Sequence, residues 1–299
     1  MYGNFGQTSY ASRTVLVKLS GQSWLVCYVF ALLALFGAVS SAPAPQELAN
    51  GLGSLTYANG VKETCGGALI SKRHVVTAAH CLANNPKTIM VWFGVVDRMA
   101  VFMTPGMQFR ETVNLVSHPE YQHGLNFYND IAIVELNAEI NITDTVTPIS
   151  ILADDSEILT QPEAFAIGFG TYEYDKNNKA IMSPDLRYTN TSIVDFDFCK
   201  KQWSPHGGVS RIPIKLWDKQ FCAGANGHGV GPSDSGGPLQ IKKDDKWYQV
   251  GLASMADMDI INGERVTRPN QEKYPAIYTR MSKYCDFMKE KTGNAFECV

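Results

Sequence analysis

The chain has 299 residues, of which 45% are hydrophobic and 18% charged, a balance typical of one large globular domain or two small ones. Its formal net charge of -3 comes from 26 basic and 29 acidic residues with no long run of one sign, so no nucleic-acid partner is expected. The six histidines show no ligand spacing such as His-Glu-x-x-His, and we expect neither a metal nor a cofactor.

The amino-terminal segment is typical of a secretory signal. Its first 23 residues contain two basic residues and no acidic one, and the apolar run Trp24–Val39 is followed by the small residues Ser40–Ala42. This pattern predicts a signal peptide over residues 1–42 and a secreted, extracellular protein. An uncleaved signal-anchor is the alternative and would bring membrane contact, but the apolar run is shorter than the roughly 20 residues that span a bilayer.

Further along, short β-branched and aromatic runs alternate with turn residues. Residues 43–64 are rich in Pro, Ala, Asn and Gly, and we expect them to form an irregular lead-in or a propeptide. We predict strands at Val75–Thr77, Thr88–Phe93, Ile131–Leu136, Ala164–Phe169, Trp247–Ala253 and Ile277–Met281. Tyr172–Pro184 is expected as a polar loop. The one predicted helix is Lys283–Thr292, which packs on the β structure and ends at Gly293.

Secretion makes the cysteines and sequons interpretable. Seven cysteines less Cys27 leave six, an even number that favours disulfides in an oxidising compartment. Asn141 and Asn190 each begin an N-glycosylation sequon within a polar stretch, where a glycan could face solvent.

Three motifs carry candidate chemistry. His80 ends a run of small residues behind a short strand, Asp130 stands at the start of a strongly apolar strand, and Ser235 lies in a glycine-rich turn. Each alone has an ordinary structural interpretation, as a structural histidine, a turn or capping aspartate, and a tight turn.

Together the motifs resemble the chymotrypsin/trypsin family of serine peptidases. The order His, Asp, Ser carries the resemblance, with Cys65–Gly67 before the histidine and Pro275–Tyr278 after the serine. It covers Cys65 to the carboxyl terminus. It implies an all-β, chymotrypsin-like double β-barrel of Greek-key topology over residues 65–299, with a carboxyl-terminal helix, and a monomer.

The resemblance also implies the roles of the site residues. Ser235 would attack a peptide carbonyl, His80 would accept and return its proton, and Asp130 would hold the imidazole in the needed tautomer. Ser254 matches the family serine that supports the aspartate. The backbone amides of Ser233 and Ser235 would form the oxyanion hole.

Disulfides follow from the same resemblance. It implies Cys65 with Cys81 and Cys199 with Cys222, and we expect the remaining Cys285 and Cys298 to join across the carboxyl-terminal helix. The family's bridge beside the serine loop is missing, since Gly231 and residues 268–272 stand where its cysteines would be. Another frequent bridge is missing too, with Ile241 at one of its positions.

Three departures from the family pattern bear on activity, the third being the specificity pocket described below. Ser233 replaces the glycine before the Asp-Ser pair, and a residue with a Cβ adopts the backbone angles of that glycine only at a cost of roughly 1–3 kcal/mol. Asp234 matches the aspartate that pairs with a newly cut Ile-Val-Gly-Gly terminus, but no suitable basic cleavage site precedes Cys65. Asp234 therefore needs another partner, or the oxyanion hole is assembled differently.

The expected specificity pocket has no charge. The resemblance places Gly229 at its base, Ala256 and Ala276 where the family has wall glycines, and Met255 where it has a tryptophan. The added methyl groups narrow the pocket, so we predict small to medium apolar P1 residues and exclusion of Lys and Arg.

Two functions remain open from the sequence. The intact triad favours an active secreted endopeptidase that acts on proteins or peptides and is open to proteinaceous inhibitors. Ser233 and the missing activation site favour a catalytically silent homologue that acts as a binding or regulatory module. A third interpretation is a membrane-anchored protease, which would require that the signal segment is not cleaved.

Overall fold

A computed structural model describes residues 51–57, 64–83, 86–99, 104–122, 124, 126–205 and 214–299. The predicted signal peptide, with Cys27, lies outside the described residues. The chain divides into two units, Met1–Ala38 and Val39–Val299, and all described residues belong to the second. Within the described ranges, no helix has the length and apolar character needed to cross a membrane.

Six antiparallel strands close the first barrel. They are β1 (Leu52–Tyr57), β2 (Thr64–Ser71), β3 (His74–Thr77), β4 (Ile89–Phe93), β5 (Gln108–Ser117) and β6 (Ala132–Leu136). Their order around the barrel is β1-β2-β3-β6-β5-β4. In β4, buried Ile89, Val91 and Phe93 alternate with partly exposed Met90 and Trp92, the period of two that points alternate side chains into a barrel core.

A second closed barrel follows. Its strands are β7 (Ala164–Gly168), β10 (Arg187–Val194), β11 (Gln220–Gly224), β12 (Pro238–Lys243), β13 (Lys246–Met255) and β16 (Ala276–Arg280), in the order β10-β11-β16-β13-β12-β7. Two hairpins project from it, β8 (Thr171–Tyr174) with β9 (Ala180–Met182), and β14 (Met258–Ile261) with β15 (Glu264–Thr267). The predicted all-β double-barrel fold is confirmed.

Two short α-helices complete the described fold. The first, α1 (Phe196–Gln202), begins at Asp195, whose carboxylate accepts a hydrogen bond from the amide of Phe198 at 2.8 Å. The second, α2 (Cys285–Lys291), follows a 3-10 turn and inserts Phe287 and Met288 into the hydrophobic cluster of the first barrel. The carboxyl-terminal helix thus packs on a barrel, as predicted.

Three sequence-based expectations about elements were wrong. Residues 43–64 are not an irregular lead-in throughout, because β1 pairs with both β2 and β4 and closes the first barrel. Tyr172–Pro184 is not simply a loop but contains most of the β8–β9 hairpin. Helix α1 was missed because it spans only two turns, and its buried Cys199 gives no helical period of apolar residues.

Among the described residues there are three disulfides, and they are the three expected pairs. They join Cys65 to Cys81, Cys199 to Cys222, and Cys285 to Cys298. The first ties β2 to the 3-10 turn behind β3, and the second ties α1 to β11. The third closes a short loop across α2.

Leu55 tests whether β1 belongs to the mature protein. Its side chain is 1% exposed in the first-barrel core. We expect Leu55→Ala to lower the free energy of unfolding of the secreted protein by about 2–5 kcal/mol, because it leaves a cavity. Val113→Ala, at a side chain that is 60% exposed on β5, is the control and should change it by less than about 0.5 kcal/mol. Urea denaturation measures both. An unchanged Leu55→Ala protein would mean that β1 is removed as a propeptide.

Candidate active site

The pairing of β3 with β6 brings the predicted histidine and aspartate together. Thr77 at the end of β3 lies opposite Ala132 at the start of β6. His80 follows Thr77 in the 3-10 turn Ala79–Leu82, and Asp130 lies just ahead of β6. The imidazole Nδ1 of His80 is 2.8 Å from Oδ2 of Asp130, and the backbone amide of His80 donates to Oδ1 at 2.8 Å. One carboxylate therefore fixes both the ring and the backbone of the histidine.

Asp130 is fully buried and is held by the second barrel as well. The hydroxyl of Ser254, next to an irregularity in β13, donates to Oδ2 at 2.6 Å. The hydroxyl of Thr279 in β16 donates to the Asp130 carbonyl at 3.0 Å. A buried carboxylate needs such donors because it has lost its water. The expected support by Ser254 is present in the geometry, and the contribution of Thr279 was not foreseen from the sequence.

The turn that carries Ser235 docks onto the first barrel through glycines. The amide of Gly66 in β2 donates to the carbonyl of Ser235 at 2.8 Å. A Cβ on Gly66 would lie 2.7 Å from the Cα of Gly237, and one on Gly236 would lie 2.3 Å from Oγ1 of Thr77. Side chains at these glycines would push the two barrels apart. The glycines therefore let the serine turn approach the strand ends that lead to His80.

The residue before Asp234 adopts the backbone conformation of a glycine. Ser233 has a φ of 73°, in the left-handed region that costs a residue with a Cβ about 1–3 kcal/mol. Its hydroxyl contacts the sulfur of Met182 in β9 at 3.6 Å. Within the described part of the chain, neither the amide of Ser233 nor that of Ser235 donates a hydrogen bond to a backbone carbonyl.

Asp234 is held by backbone amides. The amide of Gly170 donates to Oδ1 at 2.9 Å, and that of Gly231 donates to Oδ2 at 3.0 Å. No ion pair among the described residues includes this carboxylate. Desolvation raises the pKa of Asp234 to about 6, although the two amides act in the opposite direction. Among the described residues, the partners of the Asp234 carboxylate are thus the backbone amides of Gly170 and Gly231.

Three of the expected pocket residues, Ala256, Ala276 and Met255, pack in two neighbouring apolar clusters. Ala276 and Val230 belong to one buried cluster, and Ala256 packs against it. Met255 packs against the other cluster, with Phe127.

Sequence reasoning missed two residues beside the site. Phe127, with a φ of 51°, presents its ring edge-on to His80 at 6.1 Å between centroids. Gln220 of β11 donates to the carbonyl of Asn126 at 2.9 Å and so ties this loop to the second barrel. The position of Phe127, three residues before Asp130, could have indicated from the sequence that its ring lies near the site. Gln220 has no sequence signal, since only the fold brings it there.

The remaining predicted positions lie elsewhere. Asn141 and Asn190, the two sequon asparagines, are both exposed, and Asn190 donates to a carboxylate oxygen of Glu163 at 3.0 Å. Cys65, His80 and Cys81 lie close enough to suggest metal ligands, but the two sulfurs are joined in a disulfide and cannot serve as thiolates.

Two closed six-stranded barrels with a His-Asp pair and a serine turn at their junction define the double-barrel class of serine peptidase folds. A family model described as Trypsin matches residues 39–288, which is most of the chain and begins well before Cys65. The chain belongs to the trypsin family.

Curated relatives agree with this assignment. The chain is 26% identical to coagulation factor XI of Bos taurus over 235 residues, which cover 77% of this chain and 34% of that protein. It is 30% identical to CLIP domain-containing serine protease B15 of Anopheles gambiae over 244 residues, which cover 75% and 60% respectively. The chain therefore spans only part of the length of both relatives.

The raised pKa of Asp234 predicts a pH dependence of stability. A carboxyl whose folded pKa is raised stabilises the fold fully below its unfolded pKa, near 3.8, and that contribution is lost as pH rises through about 6. The free energy of unfolding of Asp234→Asn, measured relative to wild type, should therefore rise by roughly 2–4 kcal/mol as the pH increases from 4 to 7. Urea denaturation across this range measures the difference.

Asp154→Asn is a control of opposite sign. The amide of Ser156 donates to this exposed carboxylate at 2.9 Å and lowers its pKa. The stability of wild type relative to Asp154→Asn should therefore increase as pH rises. If Asp234→Asn instead loses stability relative to wild type as pH rises, the Asp234 carboxylate has a cationic partner, such as a newly formed amino terminus.

Proposed function

We propose that this protein is a secreted serine endopeptidase that cleaves protein or peptide substrates through an acyl-enzyme on Ser235. The observation that carries the proposal is the complete hydrogen bonding of the buried Asp130 carboxylate, which His80 contacts through both Nδ1 and its backbone amide while Ser254 donates to Oδ2. This arrangement fixes the imidazole with Nδ1 as the donor, which leaves Nε2 as the base.

In this mechanism, Ser235 attacks the scissile carbonyl carbon while His80 Nε2 removes the hydroxyl proton. The tetrahedral intermediate then collapses, and the imidazolium gives the proton to the leaving amine. Water repeats the sequence and releases the acyl group from Ser235. Asp130 keeps its charge throughout and stabilises the imidazolium.

The oxyanion that forms in this reaction needs donors that are already in place. The amides of Ser233 and Ser235 are proposed for this role, and their lack of backbone acceptors among the described residues supports it. Each such donor contributes on the order of 3 kcal/mol to transition-state stabilisation. The glycine-like φ of Ser233 is compatible with the role.

The proposed substrate preference is a small to medium apolar P1 residue. Gly229 supplies no carboxylate at the pocket base, and Ala256 and Ala276 lie with Val230 in the apolar cluster. Lys or Arg at P1 would leave a cation without a partner, which is costly in a desolvated pocket. A peptide library in which cleavage follows Lys or Arg would overturn this preference.

The alternative is a silent homologue that binds partners without catalysis. It is favoured by Ser233, whose φ of 73° stores strain that a flip of its peptide would release. It is also favoured by Asp234, which is held by amides rather than by an ammonium group among the described residues. Ser233 and Asp234 directly precede Ser235, so a change in either residue can displace the oxyanion-hole amides and abolish activity.

Location and partners complete the proposal. The signal segment supports secretion into an oxidising compartment, consistent with three disulfides among the described residues. A monomer with glycans on the exposed Asn141 and Asn190 is part of the proposal. Proteinaceous inhibitors that present a substrate-like loop are the expected regulators. A membrane-anchored form would require retention of residues 1–42.

Fluorophosphonate labelling of the secreted protein, read by intact mass, tests the proposal. We expect one label per chain, because His80 activates the Ser235 hydroxyl, and complete loss of labelling in Ser235→Ala. Ser233→Gly separates the two functions. Labelling of Ser233→Gly but not of folded wild type would show that the Ser233 side chain silences the protein. Labelling of neither would reject the peptidase.

A further inference from the structure

Gln271 lies against the base of the expected specificity pocket, where the sequence alone suggested no role for it. Its side chain is buried, at 4% exposure, on the loop between β15 and β16. Its Oε1 accepts from the amide of Val230 at 3.2 Å, and its Nε2 donates to the Val230 carbonyl at 2.7 Å. The carboxamide thus pairs with one backbone residue through both of its ends.

Gly229 and Gln271 are sterically linked. A Cβ built on Gly229 would lie 1.9 Å from Oε1 and 2.1 Å from Cδ of Gln271. The carboxamide therefore occupies the space into which a side chain at position 229 would project. In a chain with any larger residue at 229, this Gln271 conformation would be impossible. The glycine at the pocket base is thus not an empty position, because a side chain from another loop fills it.

The loop that carries Gln271 is fixed to the loop of Gly229. Asn226 and Asn270 form an antiparallel bridge, and the amide of Gly227 donates to the carbonyl of Pro269 at 2.9 Å. These backbone contacts stand immediately before Gln271 and leave its side chain little freedom to withdraw. The filling of the pocket base is therefore part of the fold.

The same contact spans the gap left by the missing family disulfide. The resemblance places the lost cysteines at Gly231 and within residues 268–272, and Gln271 is bonded to Val230, the neighbour of Gly231. Two hydrogen bonds here hold together the two loops that a covalent bridge would join.

We propose that Gln271 is a specificity-determining residue whose carboxamide forms the floor of the P1 pocket and limits it to small to medium side chains. This proposal rests on the proposed function for its substrate class. It deepens that proposal, because the limit on P1 size comes from a filled base as well as from the methyl groups of Ala256 and Ala276.

The test measures P1-dependent binding without turnover. Disulfide-cyclised substrate-loop peptides that differ only at P1, as Ala, Val, Leu or Phe, are titrated onto protein carrying Ser235→Ala. Removal of the carboxamide in Gln271→Ala should raise the affinity for Leu relative to Ala by at least about 10-fold, because the opened base accepts more methylene groups. Gln271→Met keeps the volume and should stay within about 3-fold of the parent ratio.

Gln249→Ala is the matched control. Gln249 is buried in β13 and donates to the carbonyl of Gly251 at 3.1 Å, so its loss also removes a buried carboxamide bond, but it should leave the P1 ratio unchanged. If Gln271→Ala does not fold, as judged by circular dichroism, Gln271→Ser takes its place with the same expectation.

The outcomes separate the two proposals. An unchanged Leu-to-Ala ratio in Gln271→Ala or Gln271→Ser, the same shift in Gln271→Met or Gln249→Ala, or no P1-dependent binding at all would overturn the role of Gln271. A shifted ratio together with wild-type protein that neither labels nor hydrolyses would support the pocket floor and reject the peptidase.

Discussion

A fully buried carboxylate is tolerated only when donors replace its lost water, and the two barrels of this protein meet around such a group, Asp130. First-barrel donors come from His80 and a second-barrel donor comes from Ser254, with Thr279 holding the carbonyl of the same residue. Removal of the His80 or Ser254 donors would leave part of the carboxylate charge without a hydrogen bond. The hydrogen bonds that Asp130 requires therefore hold His80 in place and fix the first barrel against the second.

The serine turn depends on the same junction. Its approach is possible because Gly66 and Gly236 leave room where side chains would collide. The two residues before Ser235 are both in unfavourable environments, since the backbone of Ser233 is strained and the carboxyl group of Asp234 is desolvated. Strain and desolvation at a reacting centre are compatible with catalysis but also make its assembly sensitive to neighbouring groups. The choice between an active and a silent protein therefore rests on two residues beside Ser235.

The sequence was sufficient for the features that local chemistry dictates. Apolar runs located six of the twelve barrel strands, and the family resemblance carried by the triad motifs implied the fold and the disulfides. It failed where a segment is ordered only by partners distant in the chain. Strand β1 contains Gly53 and directly follows Gly51, so it looks irregular until β2 and β4 pair with it. Gln271 and Gln220 are ordinary surface-type residues in sequence, and only the loop packing buries their amides.

The most direct test of the Asp130 network is the fluorophosphonate labelling rate of Asp130→Asn beside wild type. Asparagine keeps the shape and one acceptor, but its amide nitrogen facing His80 favours the wrong imidazole tautomer. We expect a folded variant whose labelling rate falls by about 10⁴-fold. A folded variant that labels within about 10-fold of wild type would contradict the account, because Ser235 would then owe its reactivity to something other than the His80–Asp130 pair.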